Sequence, residues 1–336
     1  MKSPSEKISM SPAPIADDGV SVILPLVNEE AYLEDAVSAI LSQDYLGTTE
    51  VILAIGPSKD RTLEIANLLR KRDSRVVLIE NPSGRTAAGL NLAIKASRFR
   101  VIVRVDGHAE IPKNYISRAV ELLQETGAVN VGGMMAAVGI SKFEKAVARA
   151  MRSPLGVGAS RFHTGGSAGP VDTVYLGVFL KDALIAAGGF DERFTRAQDW
   201  ELNFRLRKSG GVVYFDPQLQ VTYRPRPTLR ALSKQYFEYG RWRRVVSRRH
   251  KGTVNLRYLA PPFALLGTIT SLVLATTLSN IWIIPAVIYL TFLFVASGLI
   301  GKGILERLIM PLILFTMHMS WGAGFITSPK KLVPND

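Results

Sequence analysis

Three long segments without charged residues near the carboxyl end constrain the fold of this 336-residue chain more than any other feature. They cover residues 260–279, 281–300 and 308–327, and none of them contains Asp, Glu, Lys or Arg. An apolar helix of about 20 residues is long enough to span the hydrocarbon core of a bilayer. We therefore predict a membrane domain of about three apolar helices over residues 259–328, followed by a short tail over residues 329–336.

A basic amphipathic segment precedes the first apolar segment. Leu232 and Tyr236 recur at helical spacing, whereas Lys234 and Arg248 lie on the opposite side. This pattern is typical of helices in a membrane interface, although a charged helix packed on a folded domain would show it too. We assign residues 228–258 to basic amphipathic interfacial helices. Because basic flanks stay in the cytoplasm, we predict a multi-pass protein of the cytoplasmic membrane with its amino-terminal domain on the cytoplasmic side.

The chain carries 41 basic and 28 acidic side chains, a formal net charge of +13. An excess of this size indicates a partner that carries phosphate, either nucleic acid or an anionic membrane surface. Because the basic cluster adjoins the apolar segments, we predict membrane lipids as partners and no nucleic acid. Cysteine is absent from the sequence, which excludes disulfides, thiolate zinc sites and cysteine nucleophiles.

The number of complete membrane spans is left open by the sequence. Three full spans would place Lys330 and Lys331 outside the cell, against the charge rule. Pro285 and Pro311 also interrupt two of the apolar segments. A re-entrant or shallow hairpin is therefore as compatible with the sequence as three spans.

Ahead of the basic segment, short β-branched runs alternate with amphipathic stretches over residues 19–227. The predicted strands cover residues 21–27, 50–55, 75–80 and 101–106. Such alternation predicts an α/β domain with a mostly parallel sheet and helices on both faces. Ligands of these sheets bind beyond the carboxyl ends of the strands. Each predicted strand ends there in a polar or glycine residue: Asn28, Gly56, Asn81 and Asp106. Residues 1–18 lack an apolar run, and we predict a disordered cytoplasmic tail.

The first three strand ends carry candidate groups for binding a nucleotide. Pro25, Asn28 and Glu29 close the first strand, where backbone and carboxylate groups can hold a nucleoside, although Asn28 could equally cap a helix. Asp60 follows the second strand and could be a helix cap or a contact to a base. Arg85 follows the third strand and is free to reach a diphosphate.

Asp106 and His108 follow the fourth strand. In an extended segment both side chains project to the same side, and Gly107 between them lets a ligand approach the backbone. A carboxylate and an imidazole placed in this way can bind a divalent cation that also bridges two phosphates. Imidazole suits Mn²⁺ better than Mg²⁺, so we predict a divalent cation, Mn²⁺ or Mg²⁺, at this position.

Asp199 begins a predicted helix after a Gly-Gly turn. A carboxylate there can cap the helix, but it can also be the general base that removes a proton from an acceptor hydroxyl. Glu201 is the fallback base, and Gln198 and Trp200 are expected on the acceptor side. His163 belongs to a glycine-rich stretch that forms either a lid over the donor or an ordinary loop.

Together, these residues resemble the family 2 glycosyltransferases, whose fold is called GT-A, over residues 20–223. Pro25, Asn28 and Glu29 match the family's Pro-x-x-Asn-Glu element on the nucleoside side. Four further matches follow in order along the chain: the Ser-x-Asp-x-Thr element at Ser58, Asp60 and Thr62, the metal-binding Asp-x-Asp at Asp106 and His108, the general-base pair at Gln198 and Asp199, and the Arg-Leu pair at Arg205 and Leu206. The resemblance implies a GT-A domain with a Rossmann-like sheet, and Asp199 as its base.

Two departures narrow the resemblance. The family's second metal aspartate is His108 here, and Ile55-Gly56 replaces the acidic pair that usually closes the second strand. These two departures, the apolar segments and residues 235–241 resemble the pattern of one subgroup of the family, the succinoglycan-type exopolysaccharide glucosyltransferases. The acceptor contacts implied at the membrane are Gln235, Tyr239, Arg241 and Trp242.

The reaction that the resemblance implies is inverting. A sugar, expected from a UDP-sugar, would pass to a hydroxyl of a polyprenyl-diphosphate-linked glycan during synthesis of an exopolysaccharide or cell-envelope glycan. A polyprenyl-phosphate sugar synthase is the nearest rival function, because a phosphate nucleophile needs no base. Three further functions are alternatives: a processive polysaccharide synthase, a non-catalytic nucleotide-sensing membrane module and a dinucleotide-dependent oxidoreductase. The oxidoreductase is disfavoured because Gly-x-Gly-x-x-Gly does not follow the first strand.

Overall fold

A computed structural model describes residues 19–333 of the chain. The tail predicted over residues 1–18 lies outside the described residues, and so does the end of the tail predicted over residues 329–336. Within the described range, an α/β domain is followed by a long basic helix and three apolar helices.

One sheet of eight strands forms the centre of the α/β domain in the described part of the chain. The strands are β1 (Val20–Leu26), β2 (Thr49–Ile55), β3 (Val76–Glu80), β4 (Val101–Arg104), β5 (Asn130–Ala137), β6 (Gly169–Pro170), β7 (Tyr175–Leu180) and β8 (Val213–Tyr223). Their order across the sheet is β3-β2-β1-β4-β7-β5-β8-β6. The first four strands lie within two residues of their predicted positions, and they pair in parallel.

The second half of the sheet is mixed. β7 runs antiparallel to both β4 and β5, β6 runs antiparallel to β8, and β5 and β8 are parallel. The regular alternation of strand and helix ends after β5, where three helices intervene before the next strand. These are α5 (Lys142–Met151), α6 (Pro154–Val157) and α7 (Arg161–Thr164). The prediction of a mostly parallel sheet is confirmed, because four of the seven strand pairings are parallel. The antiparallel pairings all involve β6 or β7, which follow the end of the regular alternation.

Helices cover both faces of the sheet, as predicted. Side chains of β1 alternate: Val22 and Leu24 face one core, whereas Ile23 faces the other. The first core is closed by α1 (Leu33–Leu41), α2 (Thr62–Arg72) and α4 (Tyr115–Thr126). The second core is closed by α3 (Thr86–Ala96), α8 (Lys181–Ala186) and α9 (Gln198–Lys208). This arrangement leaves the carboxyl ends of β1 to β4 open as one edge of the sheet.

The carboxyl-terminal helices are α10 (Leu229–Arg249), α11 (Leu256–Thr277), α12 (Ile284–Ile300) and α13 (Ile304–Thr327). A 3₁₀ turn at Asn280–Ile283 joins α11 to α12. By length and composition, α11, α12 with its preceding turn, and α13 can each cross a membrane. Large apolar side chains on them are exposed, among them Phe263, Phe294 and Leu308. The prediction of three apolar helices is confirmed, although the third begins earlier than predicted.

The apolar side of α10 packs against α13 and α5 rather than standing free. Leu232 and Tyr236 join a core cluster with Met310 of α13. The backbones of the two helices come so close that a Cβ on Gly240 would lie 2.1 Å from the Trp321 carbonyl oxygen. Protein therefore covers the apolar side of α10, as expected of a charged helix packed on a folded domain, and only its basic side remains for a membrane surface.

Candidate active site

The loops that follow β1 and β2 are joined by reciprocal hydrogen bonds. The backbone amide of Asn28 donates to the Ser58 hydroxyl at 3.1 Å, and the Lys59 amide donates to Asn28 Oδ1 at 2.7 Å. Asn28 adopts a left-handed backbone conformation with φ of 56°, which asparagine tolerates better than most residues. Asn28 and Ser58 therefore connect the two loops, a role that the sequence did not separate from donor contact.

Asp60 makes the same kind of connection one turn further on. It accepts hydrogen bonds from the Glu30 amide and from both the amide and the hydroxyl of Thr62. The Glu29 amide donates in turn to the Thr62 hydroxyl at 2.7 Å. These contacts support the cap interpretation of Asp60. We call the loops after β1, β2, β3 and β4, together with Pro25 near the end of β1, the polar rim. Its predicted donor-binding residues are Pro25, Asn28, Glu29, Gly56, Ser58, Asp60, Arg85 and Asp106.

Gly56 and Arg85 give the polar rim space and charge. A Cβ on Gly56 would lie 2.6 Å from Val27 and 3.0 Å from the Gly84 Cα, so a larger residue does not fit there. Pro25 lies within β1, paired with Ala54. Arg85 precedes α3, is exposed, and forms no side-chain hydrogen bond or ion pair with the described residues. Its guanidinium is therefore available to an anionic ligand.

Behind the rim, a buried arginine connects two candidate catalytic carboxylates. Arg104 ends β4 with a side chain only 4% exposed. Its Nη2 donates to Asp106 Oδ1 at 3.0 Å, and its Nη1 donates to Asp199 Oδ1. Sequence reasoning missed this role of Arg104, although the residue stands two positions before Asp106.

His108 is oriented by a carboxylate. Its Nδ1 lies 3.0 Å from Glu29 Oε1, and this hydrogen bond raises the pKa of the imidazole above its ordinary value. A histidine that donates Nδ1–H to a carboxylate presents an unprotonated Nε2, the usual arrangement for metal ligands. No group of three or more His, Asp or Glu residues positioned to bind a metal occurs between residues 19 and 333. Asp106 and His108 lie in a turn closed by a hydrogen bond from the Ala109 amide to the Asp106 carbonyl, and not in the extended segment that the sequence predicted. The cation at this position stays a prediction, and its other ligands would come from substrate or water.

Asp199 lies in the first turn of α9, two positions after a strained residue. Ala197 precedes the helix with φ of 60°, an unusual conformation for alanine that is often found at functional sites. Asp199 Oδ1 is bonded to Arg104, and its second oxygen forms no hydrogen bond with the described residues. That oxygen is free to accept a proton.

Glu201, the fallback base, is placed differently. Its side chain is 1% exposed and is bonded to Arg205 and to His250 Nε2, the latter at 2.9 Å. Arg205 also donates to the Gly189 carbonyl, which fixes the turn before α9. Glu201 is therefore a structural ion-pair partner in this conformation and has no free oxygen that faces a substrate.

Asp199 also lies on the wall of a cavity of about 550 Å³ that extends to α11, α12 and α13. We call it the apolar cavity. Trp200, Tyr239 and Trp242 line it, as expected of acceptor contacts. Gln198 is buried and does not line it, and Arg241 is paired with Glu238 at 2.8 Å.

Two further predictions concern the surroundings of this cavity. Gln235 acts indirectly, because its amide donates to the hydroxyls of Tyr223 and Tyr239. His163 lines the cavity from α7, and burial lowers the pKa of its imidazole to about 3, which keeps it neutral. His163, at the start of the glycine-rich stretch, thus forms part of the cavity wall. Arg243 also lies on this wall, and no sequence pattern singled it out.

The fold is shared with solved glycosyltransferase structures. The mannosyltransferase PcManGT from Pyrobaculum calidifontis, solved with GDP-Man and Mn²⁺, aligns over 92% of this chain and 86% of that chain. The TM-score is 0.63 and the sequence identity 18%, a likeness of fold alone. The α/β domain followed by apolar helices is thus a GT-A fold, as the sequence predicted.

Sequence comparison defines the family. Residues 21–187 match the family model described as glycosyl transferase family 2. The succinoglycan biosynthesis protein ExoA of Rhizobium meliloti is 30% identical over 320 residues, which cover 90% of this chain and 93% of the relative. The chain therefore belongs to glycosyl transferase family 2 and is a glycosyltransferase. This membership excludes a non-catalytic module and an oxidoreductase as its function.

A second relative is similar over nearly the same length. It is a dolichyl N-acetyl-α-D-glucosaminyl phosphate 3-β-D-2,3-diacetamido-2,3-dideoxy-β-D-glucuronosyltransferase of Methanococcus voltae. The identity is 25% over 320 residues, which cover 91% of this chain and 95% of the relative. Both alignments are therefore too long to be confined to the α/β domain and extend into the carboxyl-terminal helices.

Proposed function

We propose that this glycosyltransferase is inverting and moves a hexose from a nucleotide sugar, with UDP-sugars as the preferred donors, to a hydroxyl of a polyprenyl-diphosphate-linked glycan. The observation that carries the proposal is the position of Asp199. It is connected to the polar rim through Arg104 and lies on the wall of the apolar cavity. A base in this position can reach both a donor on the rim and a lipid-linked acceptor in the cavity.

The chemistry follows from the free oxygen of Asp199. The acceptor hydroxyl attacks the anomeric carbon, and its proton passes to Asp199. As the new glycosidic bond forms, the bond between the anomeric carbon and the diphosphate oxygen breaks, and the diphosphate leaves with the electron pair. Arg85 is positioned to bind the departing diphosphate. Attack from the side opposite the leaving group inverts the anomeric configuration.

Asp106 and His108 would hold the divalent cation, with Mn²⁺ at least as suitable as Mg²⁺ because one ligand is an imidazole. When bound, such a cation supplies charge neutralisation to a leaving diphosphate. Glu29 would orient His108, and Arg104 would hold Asp106 beside the base.

The hydroxyl acceptor is favoured over a bare polyprenyl phosphate. A phosphate nucleophile needs no base, whereas Asp199 presents an unpaired oxygen. The name of the Methanococcus voltae relative describes a lipid-linked sugar as the acceptor, and that of the Rhizobium meliloti relative describes exopolysaccharide synthesis. Both support a role in the synthesis of an exopolysaccharide or cell-envelope glycan.

We also propose that the protein is an integral, multi-pass protein of the cytoplasmic membrane with the α/β domain on the cytoplasmic side. The three apolar helices and the basic side of α10 support this placement. A soluble full-length protein recovered without detergent would contradict it.

The experiment that tests the activity is transfer from radiolabelled nucleotide sugars to membrane lipid extracts by the purified protein in detergent. We expect label in an organic-soluble glycolipid, and mild acid should release it as an oligosaccharide, because the sugar–diphosphate bond breaks while the new glycosidic bond survives. Label attached directly to lipid phosphate would favour the polyprenyl-phosphate sugar synthase. Failure to transfer from any nucleotide sugar would contradict the proposal.

A further inference from the structure

The apolar cavity contains a buried arginine with an unused hydrogen-bond donor. The Arg243 guanidinium lies between the rings of Trp200 and Tyr258, 4.3 Å from each ring centroid. Its Nη1 atom is buried and has no hydrogen-bond partner among residues 19–333. Burying a charged group without an acceptor is costly, so we expect an anionic group from outside the chain to complete this site.

The other charges around the cavity also favour an anion. Arg196 and Arg257 line it with Arg243, and Asp199 is the single acidic residue among the described lining residues. Arg257 is already bonded to Asp172 at 2.6 Å and to the Ala159 carbonyl at 2.8 Å. Arg243 retains its unused Nη1, and the Nε of Arg257 is also buried without a partner among the described residues, so both guanidinium groups have a donor left for an anion.

Beyond Arg243 the cavity wall is apolar and belongs to the helices that can enter a membrane. Pro261 and Ala264 come from α11, Phe292 from α12, and Trp321 from α13. An anionic head at Arg243 with an apolar chain along this wall has the composition of a phosphorylated lipid. Trp200 joins this region to the catalytic base, because it follows Asp199 directly and stacks on Arg243.

We propose that Arg243 binds the diphosphate of a polyprenyl-linked acceptor and that the apolar wall holds its first isoprene units. The proposal rests on the proposed function, since it places the lipid part of the acceptor whose hydroxyl meets Asp199. Arg243 is thereby an acceptor-binding residue.

The test measures binding of farnesyl diphosphate to the detergent-solubilised full-length protein, with inorganic diphosphate and phosphatidylglycerol vesicles as comparison ligands. Arg243→Gln should weaken farnesyl diphosphate binding at least about tenfold, the scale of a charge-assisted hydrogen bond. Arg230→Gln removes the same charge from an exposed position on α10 and should leave the Kd unchanged. Unchanged binding in Arg243→Gln, or binding of phosphatidylglycerol in place of farnesyl diphosphate, would overturn the proposal.

A second variant separates the head from the chain. Ala264→Phe adds bulk to the apolar wall and retains Arg243, so it should weaken the binding of farnesyl diphosphate while inorganic diphosphate still binds weakly. Equal loss of both ligands would overturn the assigned orientation. Because these measurements need no sugar transfer, they also distinguish the two proposals. If farnesyl diphosphate binding depends on Arg243 but the protein transfers sugar to no lipid, the binding site is supported and the proposed function is contradicted.

The start of α13 contacts the α/β domain, and its end contacts α10. Near its start, Glu306 is paired with Arg149 of α5 at 2.7 Å. At its end, Arg248 of α10 donates to the carbonyls of Ser328 and Pro329, both at 3.0 Å. A helix of 24 residues is about 36 Å long, so a perpendicular span would place one end across the bilayer. Both ends cannot then reach the same cytoplasmic domain.

We infer that α11 and α12 cross the membrane as a hairpin, and that α13 lies along the α/β domain without crossing. Only 11% and 22% of the apolar windows of the first two segments are buried in the protein, against 39% in α13. Two spans return the chain to its starting side, which keeps Lys330 and Lys331 in the cytoplasm and satisfies the charge rule.

The absence of cysteine from the chain makes this topology directly measurable. Single variants Ser279→Cys, between α11 and α12, and Lys331→Cys, after α13, would be treated with a membrane-impermeant maleimide in intact cells. We expect Ser279→Cys to react from outside, and Lys331→Cys to react only after permeabilisation. External labelling of Lys331→Cys would show a third span, and protection of Ser279→Cys would show that the hairpin does not cross; either result overturns the inference.

Discussion

The polar rim and the apolar cavity meet at Asp199, but they are built in opposite ways. In the rim, side chains such as Asn28, Ser58 and Asp60 bond neighbouring backbone amides, so the loops are fixed before any ligand binds. In the cavity, Arg243 and the Trp321 indole carry buried donors without partners among the described residues. The rim is therefore preorganised by the protein alone, whereas the cavity needs a ligand to complete its hydrogen bonds.

The largest effect should come from removing the cation proposed on the rim. Chelation should reduce sugar transfer to background, and added Mn²⁺ should restore it at least as well as Mg²⁺, because His108 is a nitrogen ligand. Transfer of label to lipid is the measurement. His108→Asp restores two carboxylates and should remain active with its preference shifted toward Mg²⁺. Full activity in excess chelator would contradict the assignment of Asp106 and His108.

Asp199→Asn tests the point where the two regions meet. Loss of the general base should lower turnover by roughly 10²–10⁴-fold, while donor binding, measured by calorimetry, should change little. Asp199 forms no helix-cap hydrogen bond, and Asp106 remains paired with Arg104 when the Asp199 charge is removed, so we expect only a small fall in the melting temperature. A variant that transfers sugar at the wild-type rate would show that no base is needed and would favour a phosphate acceptor.

Glu201→Gln is the matched control for that variant, two positions along the same helix. Glu201 is buried against Arg205 and His250, so its neutralisation removes the counter-charge of the Arg205 guanidinium. We expect a lower melting temperature and, in the folded fraction, an intact chemical step. If Glu201→Gln folds normally and loses turnover while Asp199→Asn stays active, the base has been assigned to the wrong residue.

Arg104→Lys tests the connection between the rim and the base. Lysine retains the charge but cannot donate to Asp106 and Asp199 at once, since it lacks the forked guanidinium. We expect turnover to fall about 10- to 100-fold, the range seen for residues that orient metal ligands, with the donor KM little changed. The Mn²⁺ concentration for half-maximal activity should also rise. A change in melting temperature alone would make Arg104 a purely structural residue.

These comparisons also explain what could be predicted from the sequence. The rim was predictable because each of its parts is local: a β-branched run ends and a polar motif follows within a few residues. The contacts of Asp60 and Thr62 lie within that motif, although their role as a connection between loops was not apparent. Arg104 bonds to its neighbour Asp106, but its second bond reaches a helix that begins 94 residues later, so no local pattern revealed its role.

The cavity was much less predictable, because its wall is assembled from distant segments. Arg241 and Arg243 are two residues apart on one helix, yet Arg241 is paired with Glu238 while Arg243 lies between two aromatic rings. Both are arginines on a helix whose basic side was expected to face the membrane. Which of them lines the cavity depends on how α10 packs against α11 and α13, and the sequence pattern does not determine that rotation.

The smallest effect should come from the hydrogen bonds that join the rim loops, and Asn28 allows its two contributions to be separated. Asn28→Gly keeps the left-handed backbone accessible but removes the bond from the Lys59 amide, which should cost roughly 0.5–1.5 kcal/mol. Asn28→Ala removes the same bond and adds roughly 1 kcal/mol of backbone strain. For an α/β domain of this size, each kcal/mol should lower the melting temperature by about 2–4 °C. We therefore expect the melting temperature to decrease in the order wild type, Asn28→Gly, Asn28→Ala, with activity at saturating donor changed by less than about fivefold.

If Asn28 instead contacts the donor directly, both variants should raise the donor Kd equally and leave the order of melting temperatures unrelated to binding. Such a result would show that Asn28 binds the donor rather than holding the rim loops together. At this residue the rim would then depend on a ligand, as the cavity does.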